Sequence, residues 1–454
     1  MTDRTAPGLQ PPLQARLQPP PSAFRLNLEQ QKNRAKDLLR AARAADAEAL
    51  SRIAAARDGV GARASQSASG ASGALKATVK LADAQLAIAR EQRFASWGKL
   101  KAHIESMDRQ RAAIDGKHAA PDGDMKTLHI RCGSDIQNTL KDGGFVGDFL
   151  EHAIPYCLGP VTTGPDRHAL MARFLVDTFP EAKGGLVYER ELEGLARGEE
   201  RLHRSAEDYE RVVLWMEHDS WDQLVLIRLL AHYANARRPR VLELVAVDEF
   251  PGGERFVGIG QLPAEALRLL WLTRRPVTPA QLLLGNDAWI ALTSGKPTHL
   301  ATLARSGTPA LPIMAPALHR HLRELPSVEN GLSLTEHLVL QILSAASVTL
   351  NRVFLMMTRE REPLPWIGDL GLLHVVDDIL RAAEPVIIRT PPAPGERWFR
   401  QQLTITDLGR AVLHGERDWH TLNPPPRWLG GVHIQPGVAG WRWDEGKREA
   451  VFRD

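Results

Sequence analysis

Two apolar runs near the middle of the chain constrain its fold more than any other feature. They read VVLWM from Val212 and VLELVAV from Val241, and polar residues hardly interrupt them. Strands with such sequences are typical of sheets that are covered on both faces. The segment DQLVLIRLLAHYANA, which follows the first run, has helical periodicity. Strands that alternate with helices predict an α/β fold, with a mainly parallel sheet flanked by helices.

Length, charge and cysteine content narrow the class of protein. The 454 residues are too many for one ordinary core, so two or three domains are expected. A net charge of +3 indicates neither a nucleic-acid-binding nor a membrane-binding protein. Cys132 and Cys157 have no zinc-type spacing, which fits a reducing compartment. No apolar stretch approaches the ~20 residues of a membrane span, and no signal-peptide core is present, so we expect a cytoplasmic protein without a membrane partner.

The amino-terminal region changes character twice. Residues 1–28 are rich in proline, glutamine and arginine, which predicts a disordered tail. Residues 29–106 contain KDLLRAARAADAEAL and KLADAQLAIAREQRFASWGKLKAHIE, whose apolar spacing predicts helices, with Ser96 as a helix cap. These segments resemble the lead-in that precedes ankyrin repeats in many bacterial proteins, although no complete ankyrin unit follows. The resemblance implies a helical module that packs on a partner protein or on the rest of the chain, to which a linker at residues 107–126 joins it.

Polar residues follow three predicted strands of the α/β domain, which we assign to residues 127–326. They are Ser134 and Asp135 after the first strand, Glu217, His218 and Asp219 after the second, and Asp248 and Glu249 after the third. Ligands of open α/β sheets bind beyond the carboxyl ends of the strands, so these side chains are expected to converge. Such carboxylates could hold a divalent metal, with Asp219 and Asp248 as candidate ligands, at a site for a small polar or phosphorylated molecule.

Each of these residues has a candidate role. The candidate catalytic residues are Glu217, His218 and Asp219. The two carboxylates would hold a cation or polar ligand, and His218 would move a proton. The candidate ligand-binding residues are Ser134, Asp135 and Asp222. The same residue types also begin helices, because a side-chain oxygen there accepts hydrogen bonds from free backbone N–H groups. Both interpretations stay open, since a strand–helix junction requires a cap whether or not it binds a ligand.

A longer pattern around these residues resembles a known family. The segments LHIRCGSDIQNTLKDGGFVGDFLEHAIPYCLGPV, VVLWMEHDSWDQLVLIRLL and VDEFPGGERFVGIGQL, in this order, are similar to the bacterial family of domain of unknown function 1835. The similarity covers roughly Leu128 to Leu325, and the candidate residues from Ser134 to Asp222 fall in the most recognisable blocks of the family. The resemblance implies an α/β domain with these boundaries and implies no particular reaction.

The carboxyl-terminal region predicts a smaller α+β domain at residues 327–422. LSLTEHLVLQILSAA begins with capping-box residues Ser333 and Glu336, and the order of three helices and two strands resembles a winged helix. The resemblance implies DNA binding, but the candidate recognition helix carries three aspartates, whose negative charge would repel phosphates. A protein partner is therefore expected more than DNA. Residues 423–454 are rich in tryptophan and predict a hairpin that packs on the preceding domain.

Two functional hypotheses follow from the sequence. In the first, the α/β domain binds a small polar or phosphorylated ligand, with a divalent metal as its candidate cofactor, and whether it also catalyses a reaction is left open. In the second, the protein is a non-catalytic regulator or adaptor whose ankyrin-like and winged-helix-like modules bind protein partners or DNA. Only the first requires the polar strand ends to meet at one edge of the sheet.

Overall fold

The computed structural model describes residues 24–57, 79–179, 185–252 and 255–453, so most of the predicted amino-terminal tail lies outside the described residues. The described helices are α1 (Leu28–Arg43), α2 (Ala47–Arg57), α3 (Leu81–Glu91), α4 (Trp97–Asp115), α5 (Gln137–Asp142), α6 (Arg167–Thr178), α7 (Tyr188–Asp208), α8 (Ser220–Asn235), α9 (Ala264–Trp271), α10 (Pro279–Leu292), α11 (Thr298–Ser306), α12 (Met314–Leu322), α13 (Leu334–Ala345), α14 (Leu350–Met356), α15 (Asp369–Leu380) and α16 (Asp407–Leu413). The described strands are β1 (Thr127–Arg131), β2 (Asp148–Glu151), β3 (Arg211–Glu217), β4 (Val241–Val247), β5 (Arg275–Pro276), β6 (Val348–Thr349), β7 (Ile387–Thr390), β8 (Gln402–Ile405), β9 (Arg427–Leu429), β10 (Val432–Ile434), β11 (Gly440–Asp444) and β12 (Glu449–Arg453). None of the described helices combines the length and the apolar character needed to cross a lipid bilayer.

The central sheet has the strand order β2-β1-β3-β4-β5. Strands β2, β1, β3 and β4 are parallel, and β5 pairs with β4 in the antiparallel direction. The mainly parallel α/β sheet predicted from the apolar runs is therefore confirmed, whereas the antiparallel edge strand was not predicted. This strand includes Pro276, which lacks a backbone N–H and is tolerated because no further strand requires that donor.

Alternate residues of the strands belong to two apolar cores, one on each face of the sheet. Val213 and Trp215 of β3 pack in the first core with helices α4, α5 and α9. Val212 and Leu214 pack in the second core with helices α7, α8 and α10. Since successive side chains of a strand point to opposite faces, helices on both sides explain why the apolar run of β3 is nearly uninterrupted. The second core also continues into the carboxyl-terminal helices, so the two regions share one apolar interior.

Helix α4 begins where the sequence predicts and ends later. Ser96 is its N-cap, and the side-chain Oγ accepts a hydrogen bond from Lys99 N at 3.3 Å, which confirms the predicted cap. The helix then continues through residues 107–115, which were predicted as linker. Met107 is buried in the first core of the α/β sheet, so burial of its side chain extends the helix beyond the amino-terminal module.

A buried carboxylate joins this helical region to the α/β domain. Glu265 of α9 accepts hydrogen bonds from Arg25 Nε at 2.7 Å and from Arg111 Nη2 of α4 at 2.9 Å. The side chain of Glu265 is 2% exposed, and a carboxylate so far from water is stable only when cations or hydrogen bonds compensate it. The two arginines therefore hold the amino-terminal helices on the α/β domain.

The carboxyl-terminal region combines helices α13 to α16 with a three-stranded antiparallel sheet of order β6-β8-β7. The capping box of α13 is confirmed, since Glu336 N donates to Ser333 Oγ at 3.2 Å and Ser333 N donates to Glu336 Oε2 at 2.6 Å. Two antiparallel hairpins, β9–β10 and β11–β12, follow where one hairpin was predicted. Trp443 of β11 is buried and its backbone N donates to Pro326 O at 2.8 Å, so the second hairpin contacts the end of the α/β domain.

The close packing of α8 against α10 depends on one glycine. A Cβ at Gly285 of α10 would lie 2.3 Å from the Cβ of Leu230 of α8, so Gly285→Ala should destabilise the fold by about 1–3 kcal/mol through overpacking. Gly194→Ala in α7 is the matched control, because a Cβ there meets nothing within 4 Å. It should stabilise the helix by up to about 1 kcal/mol. Urea denaturation measures the free energy of unfolding of each variant. If Gly285→Ala and Gly194→Ala changed it equally, the close packing of α8 against α10 would be contradicted.

Candidate functional site

Strands β1 and β3 lie side by side in the sheet, and the chain leaves them on opposite faces. After β1 it enters α5, which packs on the first core, and after β3 it enters α8, which packs on the second. A crevice forms beyond the carboxyl ends of two such strands, and sheets of this kind bind ligands there. The polar residues that follow β1 and β3 meet at this edge, as the sequence predicts.

The centre of this edge is Arg131, the last residue of β1, which sequence reasoning missed. Its side chain is 2% exposed. Nη2 lies 3.1 Å from Oδ2 of Asp135 and 3.1 Å from Oε2 of Glu217, and Nη1 donates a hydrogen bond to Oδ1 of Asp222. One guanidinium group therefore contacts carboxylates from the loop after β1, the end of β3 and the first turn of α8.

Asp222 makes the most contacts among these carboxylates. Besides pairing with Arg131, it accepts a hydrogen bond from Glu217 N at 2.9 Å and another from Cys132 Sγ at 2.8 Å. Its backbone N donates to Oδ1 of Asp219 at 2.8 Å, so Asp219 is the N-cap of α8. Capping is thus confirmed for Asp219, whereas Asp222 joins β1 to β3. The residues named the Arg131 cluster below are Arg131, Asp135, Glu217, Asp219 and Asp222.

The segment FVGIG, which ends at Gly260, closes over the Arg131 cluster. Ile259 N donates a hydrogen bond to Oε2 of Glu217 at 2.5 Å. A Cβ at Gly258 would lie 2.5 Å from Oε1 of Glu217, and a Cβ at Gly260 would lie 2.4 Å from Oδ2 of Asp135. Because glycine alone has no Cβ, only glycine permits the backbone to approach both carboxylates so closely. These two glycines are the sequence signal from which the contact could have been inferred.

The Arg131 cluster contains four carboxyl groups and one guanidinium group, so it carries excess negative charge if every group is ionised. Burial raises the pKa of Glu217 to about 8, because the attraction of Arg131 offsets only part of the desolvation. Burial also raises the pKa values of Asp219 and Asp222. Burial alone would lower the pKa of Arg131, but the nearby carboxylates of Asp135 and Asp222 raise it above its usual value. Glu217, and not the arginine, therefore changes its protonation near neutral pH.

His218 lies between two members of the cluster, at its rim. The imidazole is half-buried, with its ring centroid 5.7 Å from that of Phe256. Its Nδ1 atom is buried and has no hydrogen-bond partner within the described part of the chain. Burial lowers the pKa of His218, so the ring is neutral at neutral pH and is able to accept a proton.

The remaining predicted residues lie outside the buried group. Ser134 is exposed, and its backbone oxygen accepts a hydrogen bond from Gln137 N at 3.1 Å, as residues at helix starts do. Asp248 is exposed beyond the end of β4. Among the described residues, the acidic side chains with ligand atoms within 4.8 Å of one another are Glu217, Asp219 and Asp222. Asp248, the other predicted metal ligand, is not part of this group, and it follows β4, which pairs with β3 on the side away from β1.

Comparison with known proteins does not indicate a function for this chain. No protein-family model matches the chain, and no curated protein matches it. The family resemblances drawn from the sequence therefore stay predictions. What the Arg131 cluster can do chemically follows from its buried carboxyl groups and from Nδ1 of the adjacent His218, which has no hydrogen-bond partner among the described residues.

The raised pKa of Glu217 predicts how stability depends on pH. The carboxyl loses its proton near pH 4.5 in the unfolded chain and near pH 8 in the fold. Between these values the folded state holds one more proton than the unfolded state. The free energy of unfolding is therefore highest below pH 4.5 with respect to this group. It falls by about 1.4 kcal/mol per pH unit as the pH rises towards 8. Urea denaturation at several pH values measures this slope.

A pair of matched substitutions assigns the slope to one side chain. Glu217→Gln should remove this component, because glutamine does not titrate. Glu249→Gln changes an exposed carboxyl group outside the Arg131 cluster and should retain the slope. If Glu217→Gln keeps the full slope, the raised pKa of Glu217 is wrong.

Proposed function

We propose that the α/β domain binds a small polar ligand between the carboxyl ends of β1 and β3, together with a divalent cation. The proposal depends on one observation, the imbalance of charge in the Arg131 cluster. The buried carboxyl groups of Glu217, Asp219 and Asp222 have oxygens within 4.8 Å of one another, and Arg131 pairs with two of them, Glu217 and Asp222. A divalent cation takes carboxylate oxygens as ligands, and its binding displaces protons from them.

The charge of the cluster also limits the class of ligand. Carboxylates repel a bare phosphate, so a phosphorylated ligand requires a cation between its phosphate and the carboxylates. Asp135 is an exposed member of the cluster, and the preceding residue, Ser134, is exposed as well. Their hydroxyl and carboxylate oxygens are available to polar groups of a ligand, which supports their predicted role in ligand binding.

A catalytic form of the proposal assigns proton transfer to His218. The ring is neutral at neutral pH, its Nδ1 lacks a partner within the described residues, and it directly precedes Asp219 in the chain. A bound cation would make a ligand hydroxyl or a water molecule more acidic, and a neutral imidazole beside it would accept the proton. The proposal thus separates binding by the carboxylates from proton transfer by His218.

The alternative function, a regulator that reads DNA through α15, has less support. No residue of the described helix α15 is fully exposed. Its His374 packs on the rings of Phe174 and Phe179, with centroids 6.3 and 6.2 Å apart. A recognition helix has to enter the major groove of DNA, which this contact with α6 and the residue after it obstructs. Protein-partner binding is therefore the alternative that remains if the experiment below fails.

Calorimetric titration of the full chain with Mn²⁺ tests the proposal. We expect Mn²⁺ to bind with the release of about one proton at neutral pH, because the cation displaces the proton held by the Arg131 cluster. Titrations in buffers of different ionisation enthalpy measure that release. Glu217→Gln should weaken Mn²⁺ binding by at least about tenfold, since a charged ligand of the cation is lost.

Two control variants separate this site from a general loss of negative charge. Asp248→Asn and Glu249→Gln each remove an exposed carboxylate outside the Arg131 cluster, so both should bind Mn²⁺ like the wild type. Failure of the wild type to bind Mn²⁺, or undiminished binding by Glu217→Gln, would overturn the proposed function.

A further inference from the structure

A cleft separate from the Arg131 cluster opens beside β2. It is open to solvent and is bordered by the loop at residues 154–162 and by helices α6, α7, α8 and α10. Its lining combines apolar side chains with two arginines and one glutamate, and it includes none of the residues of the Arg131 cluster. Mostly apolar clefts with a few convergent polar groups are the usual form of small-molecule sites.

Three charged side chains converge on this cleft. Arg228 of α8 donates a hydrogen bond to Glu199 of α7, and a nitrogen of Arg167 of α6 lies 3.7 Å from the same carboxylate. Burial alone would raise the pKa of Glu199. The pKa is nevertheless held below its usual value by Arg228, His152 and Arg167, so this carboxylate is ionised. Two guanidinium groups therefore face one carboxylate, and the lining of the cleft has one positive charge in excess.

The walls of the cleft are apolar and partly aromatic. Trp289 of α10 meets Tyr156 edge to face, with 5.3 Å between the ring centroids. The hydroxyl of Tyr156 is hydrogen-bonded to Nε2 of His152 at 3.0 Å, which fixes the orientation of this ring. Met171 of α6 also lines the cleft. These side chains can cover the apolar body of a ligand whose charged group lies at the arginines.

We infer that this cleft binds a small organic carboxylate with an aromatic or alkyl body. The carboxylate lies between Arg167 and Arg228, because planar guanidinium groups hydrogen-bond carboxylates in a fork geometry. One excess positive charge matches a monoanion. A cationic ligand is disfavoured by this charge, and the guanidinium of Arg228 already lies 5.4 Å from the ring centroid of Trp289, where a cation would bind.

Saturation-transfer NMR of phenylacetate with the full chain tests the inference. We expect a Kd of about 1 mM or below for phenylacetate, and at least about tenfold weaker binding of the neutral phenylacetamide, which cannot form the charged contacts. Arg167→Gln should weaken phenylacetate binding about tenfold for the same reason. The side chain of Arg167 is 37% exposed, so this substitution spares the core.

A second variant and a control make the outcome specific to the cleft. Leu195→Trp fills the cleft from α7 and should abolish phenylacetate binding. Arg190→Gln, an exposed arginine of the same helix outside the lining, should bind phenylacetate like the wild type. The inference is overturned if phenylacetate shows no saturable binding at about 10 mM, if the amide binds equally well, or if both cleft variants are unaffected. Because no variant changes the Arg131 cluster, this result is independent of Mn²⁺ binding.

Discussion

The centre of the structure depends on the buried guanidinium of Arg131. A charged side chain that is 2% exposed is tolerated in a protein only where it is paired and hydrogen-bonded. Carboxylates from three segments of the chain provide that pairing. The same contacts join the end of β1 to the end of β3 and to the first turn of α8. The edge of the sheet that is suited to ligand binding is therefore also the edge where the chain is most tightly constrained.

A second buried arginine explains why the Arg131 cluster is unusual. Arg320 pairs with Glu324 and Glu362 at 2.6 and 2.7 Å. Although burial opposes it, Arg320 holds the pKa of Glu324 below its usual value, so that carboxylate is ionised. In the Arg131 cluster one guanidinium group pairs with three of four carboxyl groups, and at the buried Glu217, Asp219 and Asp222 burial prevails over attraction. This difference in the ratio of carboxyl groups to arginine is the reason for proposing the cation at the Arg131 cluster and not at Arg320.

Much of the fold and part of the site could be predicted from the sequence. Apolar runs reveal strands that are covered on both faces, and the carboxyl ends of parallel strands share one edge, so the meeting of Asp135 with Glu217 and Asp222 could be foreseen. Arg131 could not, because arginine is rarely buried and its position is explained only by the carboxylates that surround it. Asp248 was predicted as a metal ligand but lies outside the group of Glu217, Asp219 and Asp222, because the choice among neighbouring carboxylates depends on side-chain positions that the sequence does not reveal.

A double-mutant cycle on Arg131 and Asp222 tests this account most directly. Urea denaturation gives the free energies of unfolding of the wild type, Arg131→Met, Asp222→Asn and the double variant. Arg131→Met alone leaves buried carboxyl groups without their cation and should cost about 3–5 kcal/mol. The double variant should be less destabilised than the sum of the single variants, by about 1–3 kcal/mol. Additive single effects would contradict the central role of Arg131.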